Sequence, residues 1–198
     1  MPVAGLRSLE GKFDIITGGS RGIGAAIAQN LASKGCSLLL NYISTFSTER
    51  TLQLCEELTT ISASPPQQSS KFSREPEITS PILPPTVTID ILINNAGIGG
   101  NIRLNDPVRG HINADFFQRI YTVNVLAPLL LTQVVAPYLP LDRSGRIVNL
   151  SSVSSSLGLE SQSIYGGTKA AIEAMTRTWA RELRDCATVN AINPGPCC

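Results

Sequence analysis

The chain has 198 residues, 42% of them apolar and 16% charged, with a formal net charge of +1. That length suits one domain with a sizeable core, and so balanced a charge gives no electrostatic basis for binding nucleic acid or an anionic membrane. Cys36, Cys55, Cys186, Cys197, Cys198 and the lone His111 form no C-x-x-C pair and no metal-ligand spacing, which argues against a metal site and for reduced thiols in the cytoplasm.

Strand and helix signals alternate along the chain. Phe13–Ile16 reads as a short apolar strand broken by Asp14, an odd residue for a strand buried on both faces. After a glycine cluster, Ile23, Ile27 and Leu31 recur at helical spacing, and Gly35 is placed to stop that helix. Cys36–Leu40 predicts a second strand, and Ser47–Leu58 a second helix with Leu54 and Leu58 on one side. Residues 59–88 hold Pro65, Pro66, Pro76, Pro81, Pro84 and Pro85 among serines, threonines and glutamines, and read as an irregular insert or loop. Ile89–Ile93 is the next strand. Asp115–Val135 predicts a long helix that bends near Pro128, Arg146–Leu150 a strand, Ile164–Arg184 a helix and Thr188–Ile192 a last strand. The uncharged run 120–141 is long enough to span a membrane. Its Pro128, Pro137, Pro140, Asn124 and Gln133 favour a buried or interface helix instead. Residues 1–12 carry no apolar core of signal-peptide length. The alternation predicts parallel βαβ units, hence an α/β, Rossmann-type doubly wound sheet making one dinucleotide-binding domain over residues 1–198.

The glycine cluster Thr17-Gly18-Gly19-Ser20-Arg21-Gly22-Ile23-Gly24 lies between the first strand and the first helix. Glycine permits a tight turn and a close backbone approach, so a pyrophosphate can rest on the free N–H groups of the helix start. The spacing, G-x-x-x-G-x-G, differs from the common G-x-G-x-x-G dinucleotide fingerprint. Gly18-Gly19-Ser20-Arg21-Gly22 also fits the G-x-S-x-G nucleophile elbow of α/β-hydrolases. That rival needs a late histidine base and an oxyanion segment before Ser20. His111 is the one histidine, and only one strand precedes the serine.

Tyr165-Gly166-Gly167-Thr168-Lys169 opens a helix with its Tyr and Lys four residues apart on one face. A phenol, with a reference pKa of about 10, is too weak an acid for neutral pH unless a cation stabilises the phenolate. Ser151-Ser152 ends the strand Arg146–Leu150, and strand ends are where α/β sheets place reactive groups. After the second strand, Asn41-Tyr42-Ile43-Ser44 offers no carboxylate to a ribose 2′-hydroxyl, while Arg21 offers a forked cation to a 2′-phosphate. The expected cofactor is therefore NADP(H).

Taken in order, Thr17-Gly18…Gly22-Ile23-Gly24, Asn94-Asn95-Ala96-Gly97, Val123-Asn124-Val125, Ser152, Tyr165, Lys169 and Asn193-Pro194-Gly195 resemble the short-chain dehydrogenase/reductase family. The match extends along the whole chain apart from residues 59–88, and looks similar to 3-oxoacyl-carrier-protein reductases and fungal polyhydroxynaphthalene reductases. The resemblance implies hydride transfer between NADP(H) and a small carbonyl or alcohol substrate, with Tyr165 as general acid. Lys169 would ease the ionisation of Tyr165 and hold the nicotinamide ribose. Ser152 would bind the substrate oxygen, and Asn124 would carry a proton-relay water. The cofactor would lie along Gly18, Ser20, Arg21, Gly22, Ile23, Gly24, Tyr42, Ser44, Asn95, Ala96, Gly97, Tyr165, Lys169, Ile192, Pro194 and Gly195. Family members form homo-oligomers.

Three departures from the family stand out. Asp14 replaces an apolar residue. The family's third strand and the helix after it are not found in the Pro-rich stretch. The chain also stops at Asn193-Pro194-Gly195-Pro196-Cys197-Cys198, short of the family's substrate lid and last strand. The competing expectation is thus a catalytically impaired or non-catalytic fragment that binds nucleotide or a partner subunit.

Overall fold

A computed structural model of the chain describes residues 7–42, 47–61 and 86–195. Its elements are β1 (Phe13–Thr17), α1 (Gly22–Ser33), β2 (Ser37–Asn41), α2 (Thr48–Ile61) and β3 (Ile91–Asn94), followed by β4 (Asn105–Asp106) and β5 (Gly110–His111). After these come α3 (Ala114–Tyr121), α4 (Ala127–Val135), β6 (Gly145–Leu150), α5 (Ser163–Glu182) and β7 (Ala187–Ile192). Five strands form one parallel sheet in the order β2-β1-β3-β6-β7, and β4 pairs with β5 as a small antiparallel ribbon that the sequence did not suggest.

Side chains alternate across a strand, and the apolar residues divide accordingly. On one face Ile15, Leu92, Ile147 and Val189 meet Val135 of α4 and Ile172 and Trp179 of α5. On the other, Ile16, Leu38, Leu40 and Ile93 meet Ala28 and Ala32 of α1 and Leu54 and Leu58 of α2. Sheet faces covered by helices on both sides make this the expected doubly wound architecture.

Asp14 is the exception within that core. It is fully buried in β1, paired in register with Leu38 and Ile91, and neither carboxylate oxygen has a hydrogen-bond partner among the described residues. Burial pushes its pKa up to about 7, with the Cys36 thiol and Lys12 pulling the other way and Asp90 adding to the rise.

Helix α1 ends where Gly35 takes φ +91°. Its N–H returns to the Ala32 carbonyl at 2.9 Å, and the N–H of Cys36 returns to Leu31 at 3.2 Å. Helix α2 runs past the expected start of the Pro-rich insert, since Thr59 and Thr60 are helical and their hydroxyls donate to the Cys55 and Glu57 carbonyls at 2.7 and 2.6 Å. Most of that insert, residues 62–85, lies outside the described residues.

The long helix departs from expectation in its irregularity. The expected break near Pro128 is a π-helical turn, Thr122–Leu126, just upstream of the proline. The N–H of Ala127 reaches the Thr122 carbonyl five residues back. Pro128 has no N–H to offer the Asn124 carbonyl, so the wider turn absorbs the missing bond upstream of the proline. Residues Ala114–Tyr138 are long and apolar enough to cross a membrane by length and composition. Here they turn Ile120, Asn124, Thr132 and Val135 inward and leave Phe117, Leu126, Leu129 and Leu130 exposed.

Candidate active site

The strand order reverses between β1 and β3: the chain moves outward from β1 to β2, then crosses to β3 on the other side of β1. At such a point the loops beyond the carboxyl ends separate and leave a crevice. A cavity of about 250 Å³ lies there. Asn95, Gly97, Ile98 and Gly99 follow β3, Leu150 ends β6 with Ser151 and Ser152 after it, and Pro194 and Gly195 follow β7. Tyr165 and Lys169 of α5 complete the wall with Ile23 of α1.

The glycine turn is built for close approach. Gly18 and Gly22 have φ of +63° and +55°, a backbone that side-chain-bearing residues rarely adopt. A side chain at Gly24 would run into the Gly18 carbonyl and the Asn95 amide. Helix α1 has no acidic residue in its first turn and no side-chain cap, so its N–H groups are left for an incoming anion. Arg21 sits at the N-cap, exposed, and its guanidinium has no partner among the described residues. These features fit a nucleotide pyrophosphate. Ser20 is buried beneath the turn, and Tyr42 is buried just beyond β2. Ser44 lies outside the described residues.

The β3 loop holds the turn in place. Asn95 donates through Nδ2 to the Thr17 and Gly18 carbonyls at 2.9 and 3.1 Å. Thr17 Oγ1 accepts the Asn95 and Ala96 amides, each at 3.0 Å. The Asn95 side chain is thus a brace between β1 and β3. Asn94, one residue earlier, points into the core and donates to Asn149 at 2.8 Å.

On α5, Lys169 is only 6% exposed and donates to the Leu150 carbonyl at 2.6 Å. Burial lowers its pKa to about 8. Its ammonium lies 5.6 Å from the centre of the Tyr165 ring. Gly97 lies against it, and a Cβ there would stand 3.5 Å from both Lys169 Nζ and Asn124 Oδ1, an ordinary van der Waals contact. The Ser152 hydroxyl is buried, 3.1 Å from Ser154 Oγ, and accepts the Ser154 amide at 3.2 Å. Gly166 is needed where the helix meets that loop, since a Cβ would come within 2.7 Å of the Ser154 carbonyl.

Asn124 does not line the cavity. Its amide clamps a residue that does: Oδ1 accepts from the Ile98 N–H and Nδ2 donates to the Ile98 carbonyl, both at 2.9 Å. A further bond at 3.1 Å reaches Thr168 on α5. The structure therefore gathers Ile23, Asn95, Gly97, Ser152, Tyr165, Lys169, Pro194 and Gly195 around one cavity. Gly18, Ser20, Arg21, Gly22 and Gly24 belong to the adjoining turn. Ala96 lies beside Thr17, and Ile192 ends β7 half exposed, its carbonyl accepting the Ser151 N–H at 2.8 Å. The sequence gives Thr17 and Thr168 a place in its motifs but no role, and does not single out Ile98, because their roles depend on partners remote in the chain.

The model of the short chain dehydrogenase family matches residues 12–198. The chain belongs to this family. It is an oxidoreductase that transfers a hydride between a nicotinamide cofactor and a carbonyl or alcohol carbon. Among its relatives, the L-xylulose reductase of Aspergillus niger is 60% identical over 96% of this chain and 68% of that protein. The L-xylo-3-hexulose reductase of Hypocrea jecorina is 50% identical over the same shares. Among solved structures, a blue fluorescent protein from a metagenomic library, in complex with NADPH, is 30% identical with a TM-score of 0.80. That match covers 96% of this chain and 76% of that one. This short-chain dehydrogenase thus spans about two-thirds of the length of the reductases it matches at 50–60% identity.

Proposed function

We propose that this short-chain dehydrogenase reduces a polyhydroxylated ketone, a ketose of the L-xylulose type, with NADPH. The observation that carries the reading is the convergence of Tyr165, Lys169 and Ser152 on one cavity, beside a glycine turn whose Arg21 has no partner among the described residues. The two reductases at 50–60% identity, both with ketose names, support the substrate class. NADPH in the metagenomic protein's structure supports the cofactor.

When bound, NADPH supplies the hydride. The turn from Gly18 to Gly24 would hold its pyrophosphate on the α1 N–H groups, and Arg21 would pair with the 2′-phosphate. Tyr42 and Ser44 would lie on the adenosine side. Ala96 and Gly97, with Asn95 bracing them, would flank the ribose. Ile192, Pro194 and Gly195 would face the nicotinamide.

Ser152 Oγ donates a hydrogen bond to the substrate carbonyl oxygen and fixes its position. Tyr165 Oη gives its proton to that oxygen as negative charge develops there. The Lys169 ammonium stabilises the phenolate left behind and would hold the nicotinamide ribose hydroxyls. Asn124, whose carbonyl Pro128 cannot engage, would bind the water that returns a proton towards Lys169.

The test is NADPH consumption by the purified chain, with L-xylulose set against a 3-oxoacyl thioester. Faster turnover of the ketose is expected. Turnover of the thioester alone would replace the ketose assignment.

A further inference from the structure

Glu173 stands one helical turn beyond Lys169 on α5, half buried and outside the cavity. Its Oε1 accepts two hydrogen bonds, each 2.7 Å long. One comes from the Ser151 hydroxyl at the end of β6, the other from Asn193 Nδ2 just past β7. Asn193 Nδ2 also reaches towards Ser155 Oγ at 3.5 Å.

Among the described residues the two strand ends are otherwise joined by backbone bonds. The Ser151 N–H donates to Ile192 at 2.8 Å, and the Val153 N–H to Pro194 at 3.2 Å. Neither bond reaches α5. The β6 end also meets that helix through Lys169, whose Nζ donates to the Leu150 carbonyl at 2.6 Å and whose carbonyl lies 3.2 Å from the Ser151 hydroxyl, whereas Asn193 on the β7 side reaches α5 through Glu173. Ser151 adjoins Ser152, and Asn193 directly precedes the Pro194-Gly195 pair, so one carboxylate meets the residues next to both lips of the cavity.

We infer that Glu173 is a positioning residue that fastens both strand ends to the helix carrying Tyr165 and Lys169. This inference rests on the proposed active site, because the distance it governs is the one between Ser152 and Tyr165. Burial works against the carboxylate's charge, but hydrogen bonds from Ser155, Ser151 and Asn193 outweigh it and keep its pKa below the ordinary glutamate value. A charged acceptor holds neutral donors more firmly than a neutral one does. Reactive groups held loosely by their surroundings lose rate steeply with small displacements.

The experiment compares the chain with Glu173→Ala and Glu173→Gln, the latter keeping an oxygen where Oε1 stands. Asn193→Ala and the Glu173→Ala/Asn193→Ala pair complete the set. Amide hydrogen exchange in the absence of cofactor reads the fastening directly. In Glu173→Ala, exchange over residues 151–155 and 192–195 should quicken about tenfold or more, with β1 and β3 unchanged. In Glu173→Gln most protection should return, and the paired variant should match Glu173→Ala rather than exceed it. Turnover of the ketose should fall about tenfold in Glu173→Ala with little change in KM, and recover in Glu173→Gln.

Unchanged exchange over those two segments in Glu173→Ala would overturn the inference. So would exchange that quickens throughout the sheet and is not mended by Glu173→Gln. If Tyr165→Phe keeps full turnover, the active-site reading fails by itself, and the exchange result still decides the fastening.

Discussion

Burial holds Lys169 at about 8, where an exposed lysine stays charged well into alkaline solution. The free protein therefore loses that ammonium on passing above about pH 8. If Lys169 stabilises the phenolate, kcat/KM for reduction should decline above that pH, since this parameter reports ionisations of the free enzyme. A flat profile from pH 7 to about pH 9 would remove the ammonium from the mechanism. Asp14 makes the opposite use of burial, serving nothing visible. Its pKa is raised from 3.8 to about 7, so the folded chain binds a proton that the unfolded chain has already released across that interval. Stability from this group is full below about pH 4, falls as the pH rises to about 7 and stays low above it. Asp14→Val suits a buried strand. It should raise the melting temperature at pH 8 by roughly 5–10 °C, and by much less at pH 4. Equal gains at both pH values would mean that the carboxylate finds a partner and stays charged.

At the scale of elements, the long helix is the instructive case. Its apolar spacing was legible, and so was trouble around Pro128. The π turn was not, because apolar periodicity alone does not separate a five-residue hydrogen bond from a four-residue one. What seats that turn is tertiary: the Asn124 amide bonded on both sides to Ile98, and to Thr168 on another helix. Asn124→Ala should leave Ile98 unsatisfied, costing about 1–3 kcal/mol of stability, and should weaken turnover together with folding. Unchanged melting would mean that the loop finds other partners. Thr17 was hidden for the same reason, its partners Asn95 and Ala96 being far along the chain. The strand and helix succession was readable from hydrophobic pattern and glycine punctuation, since those signals are local. The composition of residues 59–88, prolines among serines, threonines and glutamines, masks the Thr59–Ile61 end of α2. In the folded chain the Thr59 and Thr60 hydroxyls bond back to the helix's own carbonyls.

For the molecule as a whole, a parallel sheet gathers the proposed site at one end. The glycine turn, the Asn95 loop, Ser152 and the Pro194 loop lie beyond carboxyl ends of β1, β3, β6 and β7, and α5 lays Tyr165 and Lys169 across them. Cofactor choice belongs at this scale, since it depends on what β2 lacks as well as on what the α1 turn carries. Arg21 has no partner of its own among the described residues, and no carboxylate follows β2 in the sequence through Ser44. Dissociation constants should favour NADPH over NADH, and Arg21→Ala should narrow the gap. Equal constants in the unaltered chain would withdraw the NADP assignment. The central claim is that the convergence around Tyr165 performs reduction, and one comparison tests it most directly: NADPH consumption with L-xylulose by the chain and by its Tyr165→Phe variant. Turnover that falls by about 10² to 10⁴, with NADPH binding nearly unchanged, is the predicted result. Undiminished turnover in the variant would contradict it.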